Sequence, residues 1–308
     1  MTTTLLIGVL AASFAQQTDT TIAVRAGARV DVEAFGGSIT VKTWDRNSIR
    51  VQAVHGRRDV VSIDSRSNAV KIEAEGRMGT PTNVDFTITT PASVSLNLSG
   101  VYTEIDVDGV TGDIEAETVQ GNIKVSGGAR LKLESVEGDI VIDHARGRIS
   151  ANTVNRGIRI TNVVGDIEAE TVNGPIIVQG AQATNVDLAT VNGRIVYDGT
   201  IRNNGDYSIA SHNGGIWVVV PAGAGANVSI STFNGELDAS MPVTLDKGAN
   251  KRRYSFVLGN GGARLELESF GGDIHLRRPN ETLPTQAETP RKPKAPKIKV
   301  KIDNDNDD

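Results

Sequence analysis

From residue 105 onward the chain alternates apolar and polar positions in short runs separated by glycine-bearing corners. In Asp113-Ile-Glu-Ala-Glu-Thr118, Ile114 and Ala116 fall on one side and Glu115 and Glu117 on the other, the two-residue period of a half-buried strand. A corner follows, Val119-Gln-Gly121. The phrase returns as Val136-Glu-Gly138-Asp-Ile140, Val163-Val-Gly165-Asp-Ile167, Val172-Asn-Gly174-Pro-Ile176 and Val191-Asn-Gly193-Arg-Ile195. Isoleucines stand at 105, 114, 123, 140, 149, 158, 167 and 176, with Leu131 filling the wide gap, so the unit is about nine residues long. Each unit reads as six extended residues and a three-residue turn. The corner glycines are expected to supply the positive φ of a tight bend, with Asn the next most tolerant neighbour.

Residues 110–119 and 163–172 are near copies, about six such units apart. This spacing fits three coils of two strands or two coils of three. Two strands per coil is favoured, because the later copies spread to about twenty residues at Ile195, Ile216 and Leu237. The expected fold is an all-β solenoid of short stacked parallel strands over residues 93–278. Residues 16–92 are expected to form an irregular β-rich N-terminal cap, with Phe35-Gly-Gly37-Ser-Ile39-Thr-Val41 as an early copy, since a solenoid must shield its open end. The runs 252–258 and 263–268 and the phrase Phe270-Gly-Gly272-Asp-Ile274 are expected to close the far end. Residues 279–308, rich in Pro and Lys and then in Asp, cannot bury a core and are expected to be a disordered tail.

Composition agrees with narrow stacked sheets. Aromatic residues make up 4% of the chain, while Gly reaches 33 residues. The absence of cysteine excludes disulfides and thiolate metal sites. A net charge of −5 gives no general attraction to nucleic acid, which is not an expected partner. The apolar run from Leu5 to Leu10, with small residues at Ser13 and Ala15, predicts a signal peptide over 1–15 and export to the periplasm, cell envelope or medium. No later stretch approaches the ~20 apolar residues of a membrane helix.

Several residue groups could carry chemistry. A Ser/Thr column (Thr118, Ser135, Thr153, Thr171, Thr190, Ser211, Thr232, Ser269) precedes the corners, and an Asn column (Asn155, Asn173, Asn192, Asn213, Asn234) follows. Stacked about 4.8 Å apart, they are expected to hydrogen-bond along the array; the functional alternative is a flat lattice matching ice or a glycan. The pairs Glu115/Glu117 and Glu168/Glu170 have a spacing that a two-carboxylate hydrolase could use, but read as solvated faces. His55, His144, His212 and His275 show no metal-ligand spacing. The basic run from Arg291 to Lys301 could touch anionic polymer or lipid, and Asp303 to Asp308 lack the glycine and closing Glu of a calcium loop. No catalytic, cofactor-binding or metal-binding residue is assigned, and no cofactor is expected.

The phrases Thr90-Pro91-Ala-Ser-Val-Ser-Leu96, Thr-Val-Asn-Gly at 171–174 and 190–193, and Gly261-Gly-Ala-Arg-Leu-Glu-Leu267 with Phe270-Gly-Gly-Asp-Ile274 carry a resemblance. Over about residues 20–278 the chain resembles a bacterial β-strand-repeat family of unknown function, commonly labelled as candidate adhesins. The resemblance is specific for the fold and supplies no catalytic residues. The repeat, the expected signal peptide and the lack of an assigned site make the leading expectation a non-enzymatic exported protein that presents a repetitive surface to an envelope polymer, glycan or surface protein. A polysaccharide-acting solenoid enzyme and a scaffold or filament subunit are the alternatives.

Overall fold

The computed structural model describes residues 16–243 and 252–284; the expected signal peptide and most of the expected tail lie outside the described residues. The N-terminal end comprises β1 (Gln16–Ala23), β2 (Arg29–Trp44), β3 (Ser48–His55), β4 (Asp59–Arg66), β5 (Ala69–Gly76) and β6 (Val84–Pro91). A long strand, β7 (Ser95–Val110), leads into the regular array. There the strands come in pairs: β8 (Ile114–Gln120) with β9 (Ile123–Gly127), β10 (Leu131–Ser135) with β11 (Ile140–Asp143), β12 (Ile149–Thr153) with β13 (Ile158–Thr161). The series continues with β14 (Ile167–Thr171) and β15 (Ile176–Ala181), β16 (Asn185–Thr190) and β17 (Ile195–Gly199), β18 (Asp206–Ser211) and β19 (Ile216–Val219). The C-terminal end holds β20 (Ala226–Thr232), β21 (Leu237–Ala239), β22 (Arg253–Leu258), β23 (Ala263–Ser269) and β24 (Ile274–Arg277).

Pairing settles the number of strands per coil at two. In a first sheet β8, β10, β12, β14, β16 and β18 run parallel, so that Ile114, Leu131, Ile149, Ile167, Val186 and Tyr207 share one row. In a second sheet β9, β11, β13, β15, β17 and β19 stack Ile123, Ile140, Ile158, Ile176, Ile195 and Ile216. The nine-residue isoleucine period therefore alternates between sheets. β7 belongs to both, since Leu96 pairs with Ile114 and Ile105 with Ile123. All the Ile, Leu, Val and Tyr residues named in these two rows are buried. Two sheets about 10 Å apart leave room for one layer of interdigitating side chains, which is why the interior is mostly Ile, Val, Leu and Ala with few rings.

Both ends use the same device. β2 lies between β7 on one side and β5 and β6 on the other, parallel to all three. At the far end β23 pairs in parallel with both β18 and β20, and β24 with both β19 and β21. The coil bearing Phe270-Gly-Gly272-Asp-Ile274 therefore does not close the array, as the order of repeats suggested, but is inserted beneath the coil that precedes it in sequence. A four-residue link, residues 259–262, carries the chain from β22 past β20, and the tight φ values of Gly259, Gly261 and Gly262 (53°, 72° and 121°) make that hop. Antiparallel strands finish the edges: β4 on β5, β1 on β3, β22 on β20.

Many corner glycines are required for a different reason from the one expected. Gly138, Gly174, Gly193 and Gly214 do not have positive φ. A Cβ on any of them would instead overlap the backbone carbonyl of the corner one coil below, at Gly121, Arg156, Gly174 and Gly193 respectively. Close backbone stacking, not left-handed geometry, demands glycine here. Positive φ occurs as expected at Gly121 (150°), and otherwise at the opposite corners, among them Gly127, His144, Asn162, Gly165 and Gly180.

Candidate functional surfaces

The corner after each first-sheet strand places an apolar residue where turn chemistry would call for a polar one. Val119, Val136, Val154, Val172, Val191, Phe270 and Phe233 are each 38–47% exposed, and exposed His212 occupies the same column. Backbone hydrogen bonds keep these corners in step: Glu137 N–H donates to the Val119 carbonyl, Asn155 to Val136, Asn173 to Val154, Asn192 to Val172 and Asn213 to Val191. The column continues through the inserted coil, where Gly271 N–H donates to His212 and Asn234 to Phe270. The result is a straight ridge of eight residues, about 34 Å long at one strand spacing per step. His212, Phe270 and Phe233 stack face to face at 4.8 and 4.9 Å, and the Arg252 guanidinium sits 4.1 Å above Phe233.

The hydroxyl column of the sequence is buried. Thr153 donates to the Gly138 carbonyl at 3.0 Å, Thr190 to Gly174 at 3.1 Å, Ser211 to Gly193 at 2.8 Å and Ser269 to Gly214 at 3.1 Å. These groups tie each coil to the corner below, and do not form a lattice facing solvent. The asparagines do make an outer ladder, Asn173 Nδ2 to Asn155 Oδ1 at 3.0 Å, Asn192 to Asn173 at 2.8 Å and Asn213 to Asn192 at 2.9 Å. Asn234 is separated from this ladder because the inserted coil brings Gly271 beside Asn213. The amide ladder flanks the apolar ridge along its middle section.

The two glutamate pairs lie three strands apart on the outer side of the first sheet, through β8, β10, β12 and β14. Glu115 is neutralised by Lys132 at 2.8 Å and Glu168 by Arg148 at 3.2 Å. The hydrogen bond from Lys132 to Glu115 raises the lysine above its ordinary pKa. In the row of Glu170 the outward residues shrink to Ala189 and Ala210 before Glu268 restores a carboxylate. Depressions of about 520 and 490 Å³ occupy this stretch of the sheet.

The four histidines do not meet. His55 is buried against Thr18 at 3.0 Å and the Gly56 carbonyl at 3.1 Å. His144 takes a left-handed corner (φ 55°) with Nδ1 2.7 Å from Asp143. His275 stacks on Trp217 at 4.6 Å and lies 3.2 Å from Asp238, which also binds Arg277. Among the described residues no group of three His, Asp or Glu side chains is placed to hold a metal, and no helix is long and apolar enough to cross a membrane. The basic and acidic runs after residue 290 lie outside the described residues.

The ridge is the feature that strand patterning missed. Its signal is present, since valine opens corner after corner in a segment type that ordinarily takes polar residues.

A family profile described as Toastrack DUF4097 matches residues 12–277. No curated protein matches the chain. Solved structures that match include a candidate adhesin from Parabacteroides merdae, 9% identical with a TM-score of 0.46 over 85% of this chain and 96% of that one. A candidate lipid binding protein from Parabacteroides distasonis is 10% identical, with a TM-score of 0.41 over 84% and 96%. A candidate adhesin from the same organism is 12% identical, with a TM-score of 0.34 over 86% and 98%.

Proposed function

With the chain belonging to the Toastrack DUF4097 family, we propose that it is an exported, non-enzymatic β-repeat protein whose stacked corners bind a component of the cell envelope or cell surface, as an adhesin does. The observation that carries this reading is the ridge from Val119 to Phe233, apolar at seven of its eight positions, with His212 at the other, and held in register by backbone hydrogen bonds. A soluble monomer seldom leaves so continuous an apolar line uncovered without a use for it. Its constant step presents the same contact many times, so that weak single contacts add through multivalency. The apolar run of residues 5–10 and the small residues before position 16 support export.

The non-enzymatic part rests on the surroundings of the outer carboxylates. Glu115 and Glu168 are solvent-exposed and paired with cations, whereas a general acid needs an environment that favours its neutral form. Cosedimentation of residues 16–308 with insoluble envelope, with the supernatant assayed for reducing sugar, tests both parts. Protein in the pellet with no sugar released is the expected result. Released sugar would assign the chain to polysaccharide cleavage, and protein left in the supernatant would remove the adhesive reading.

A further inference from the structure

The two depressions on the first sheet lie end to end across β14, β16, β18 and β23, and we treat them together as one trough. Its rims are the carboxylate pairs Glu168/Glu170 on β14 and Glu266/Glu268 on β23, and its floor is Asp187 and Ala189 on β16 with Ser208 and Ala210 on β18. Three strand spacings separate the rims, about 14 Å, which is room for one extended chain laid along the strands. Glu168 is held by Arg148 and Glu266 by Arg264. Glu170, Glu268 and Asp187 form no ion pair with a described residue, so the trough carries three uncompensated carboxylates around an alanine floor.

The chain contains a segment of matching chemistry, Lys297-Ile298-Lys299-Val300-Lys301. Its three lysines alternate with two apolar residues at the two-residue step that separates the carboxylates on each rim. We propose that this segment docks in the trough of its own molecule, with Ile298 and Val300 on the floor of Ala189 and Ala210 and the lysines reaching out to Glu170, Glu268 and Asp187. Long lysine stems suit that arrangement, because they cover apolar surface while their heads stay in water. Thirteen residues lead from Pro284 to Lys297 and can span at most about 45 Å. That length rounds a coil whose strands are about 20 Å long and whose sheets lie about 10 Å apart. Tethering gives the segment an effective concentration on the order of millimolar, well above that of a second copy in solution. The assignment does not depend on whether the apolar ridge binds an envelope component.

The absence of cysteine permits a direct test in the full mature chain. Ala210→Cys combined with Ile298→Cys is expected to form an intramolecular disulfide at least about tenfold faster than Thr161→Cys with Ile298→Cys, whose first cysteine lies on the second sheet. The rate should fall about tenfold in 0.5 M NaCl and in the added double variant Glu170→Gln/Glu268→Gln, because exposed ion pairs are weak singly and screened by salt. Circular dichroism confirms that each variant is folded. A rate equal to the control, or one indifferent to salt and to the Gln variants, overturns the proposal. A disulfide-linked dimer would place the segment in a second copy and overturns the assignment within one molecule.

Discussion

A Cβ added to Gly193 would overlap the carbonyl oxygen of Gly174 one coil below. The same clash recurs at Gly138, Gly174 and Gly214, so these four coils seat on the last with corners that lack a side chain, whereas the coil between Gly138 and Gly174 carries Arg156 at the equivalent corner. Gly193→Ala must separate two corners whose backbones are already hydrogen-bonded, through Asn192 N–H to the Val172 carbonyl. It should cost roughly 3 kcal/mol or more, as overpacking against backbone does. Urea titration would show it as a lower midpoint, and an unchanged midpoint would mean that the coils are not stacked this closely.

The buried hydroxyls give a second, smaller effect. Thr153 donates to the Gly138 carbonyl at 3.0 Å, and Thr153→Val keeps the shape while leaving that oxygen without its donor. A loss of about 1–2 kcal/mol is expected, with Thr153→Ser closer to wild type. Were Thr153→Val neutral, the hydroxyl column would have no structural role.

His144 holds a left-handed corner that Gly127 and Gly180 hold in other coils. Relief of its side-chain clash makes His144→Gly stabilising by about 0.5–1 kcal/mol despite the loss of an exposed contact to Asp143. A lower melting temperature in the Gly variant would contradict this geometry.

Asp238 joins the outermost coil to β24. Its hydrogen bond from Arg277, and then that from His275, hold its carboxyl below the ordinary carboxylate range. A folded value below the unfolded value of ~3.9 means that the contribution is complete above about pH 4 and is lost as pH falls through the folded value. Asp238→Asn should therefore melt earlier than wild type at pH 7, and the difference should shrink as the pH is lowered below about 4. Equal melting at pH 7 would show that this carboxylate does not secure the coil.

Much of the array was legible because a solenoid repeats its own constraints. Ile114, Leu131 and Ile149 had to be equivalent once the nine-residue unit was seen, and the spread of Ile195, Ile216 and Leu237 indicated two strands per coil. The order of coils at the ends was not legible. Strand pattern says that residues 263–269 form a strand, but only tertiary contact decides that β23 enters between β18 and β20. The surface was harder still. Val119 and Val136 look like core residues by type, and the hydroxyls of Thr118 and Ser135 look like surface. The corner geometry reverses both, exposing the valines and turning the hydroxyls inward onto backbone carbonyls.

The ridge itself is the central claim, and charge placed on it tests that claim most directly. Val154→Asp, Val172→Asp and Val191→Asp together replace three stacked, half-exposed side chains. Exposed corners of this kind tolerate substitution within about 0.5 kcal/mol each, so the fold should survive, as judged by circular dichroism and melting. In cosedimentation with insoluble envelope the triple variant is predicted to stay in the supernatant while wild-type protein pellets. A folded triple variant that pellets as wild type does would show that the apolar corner is not the binding surface.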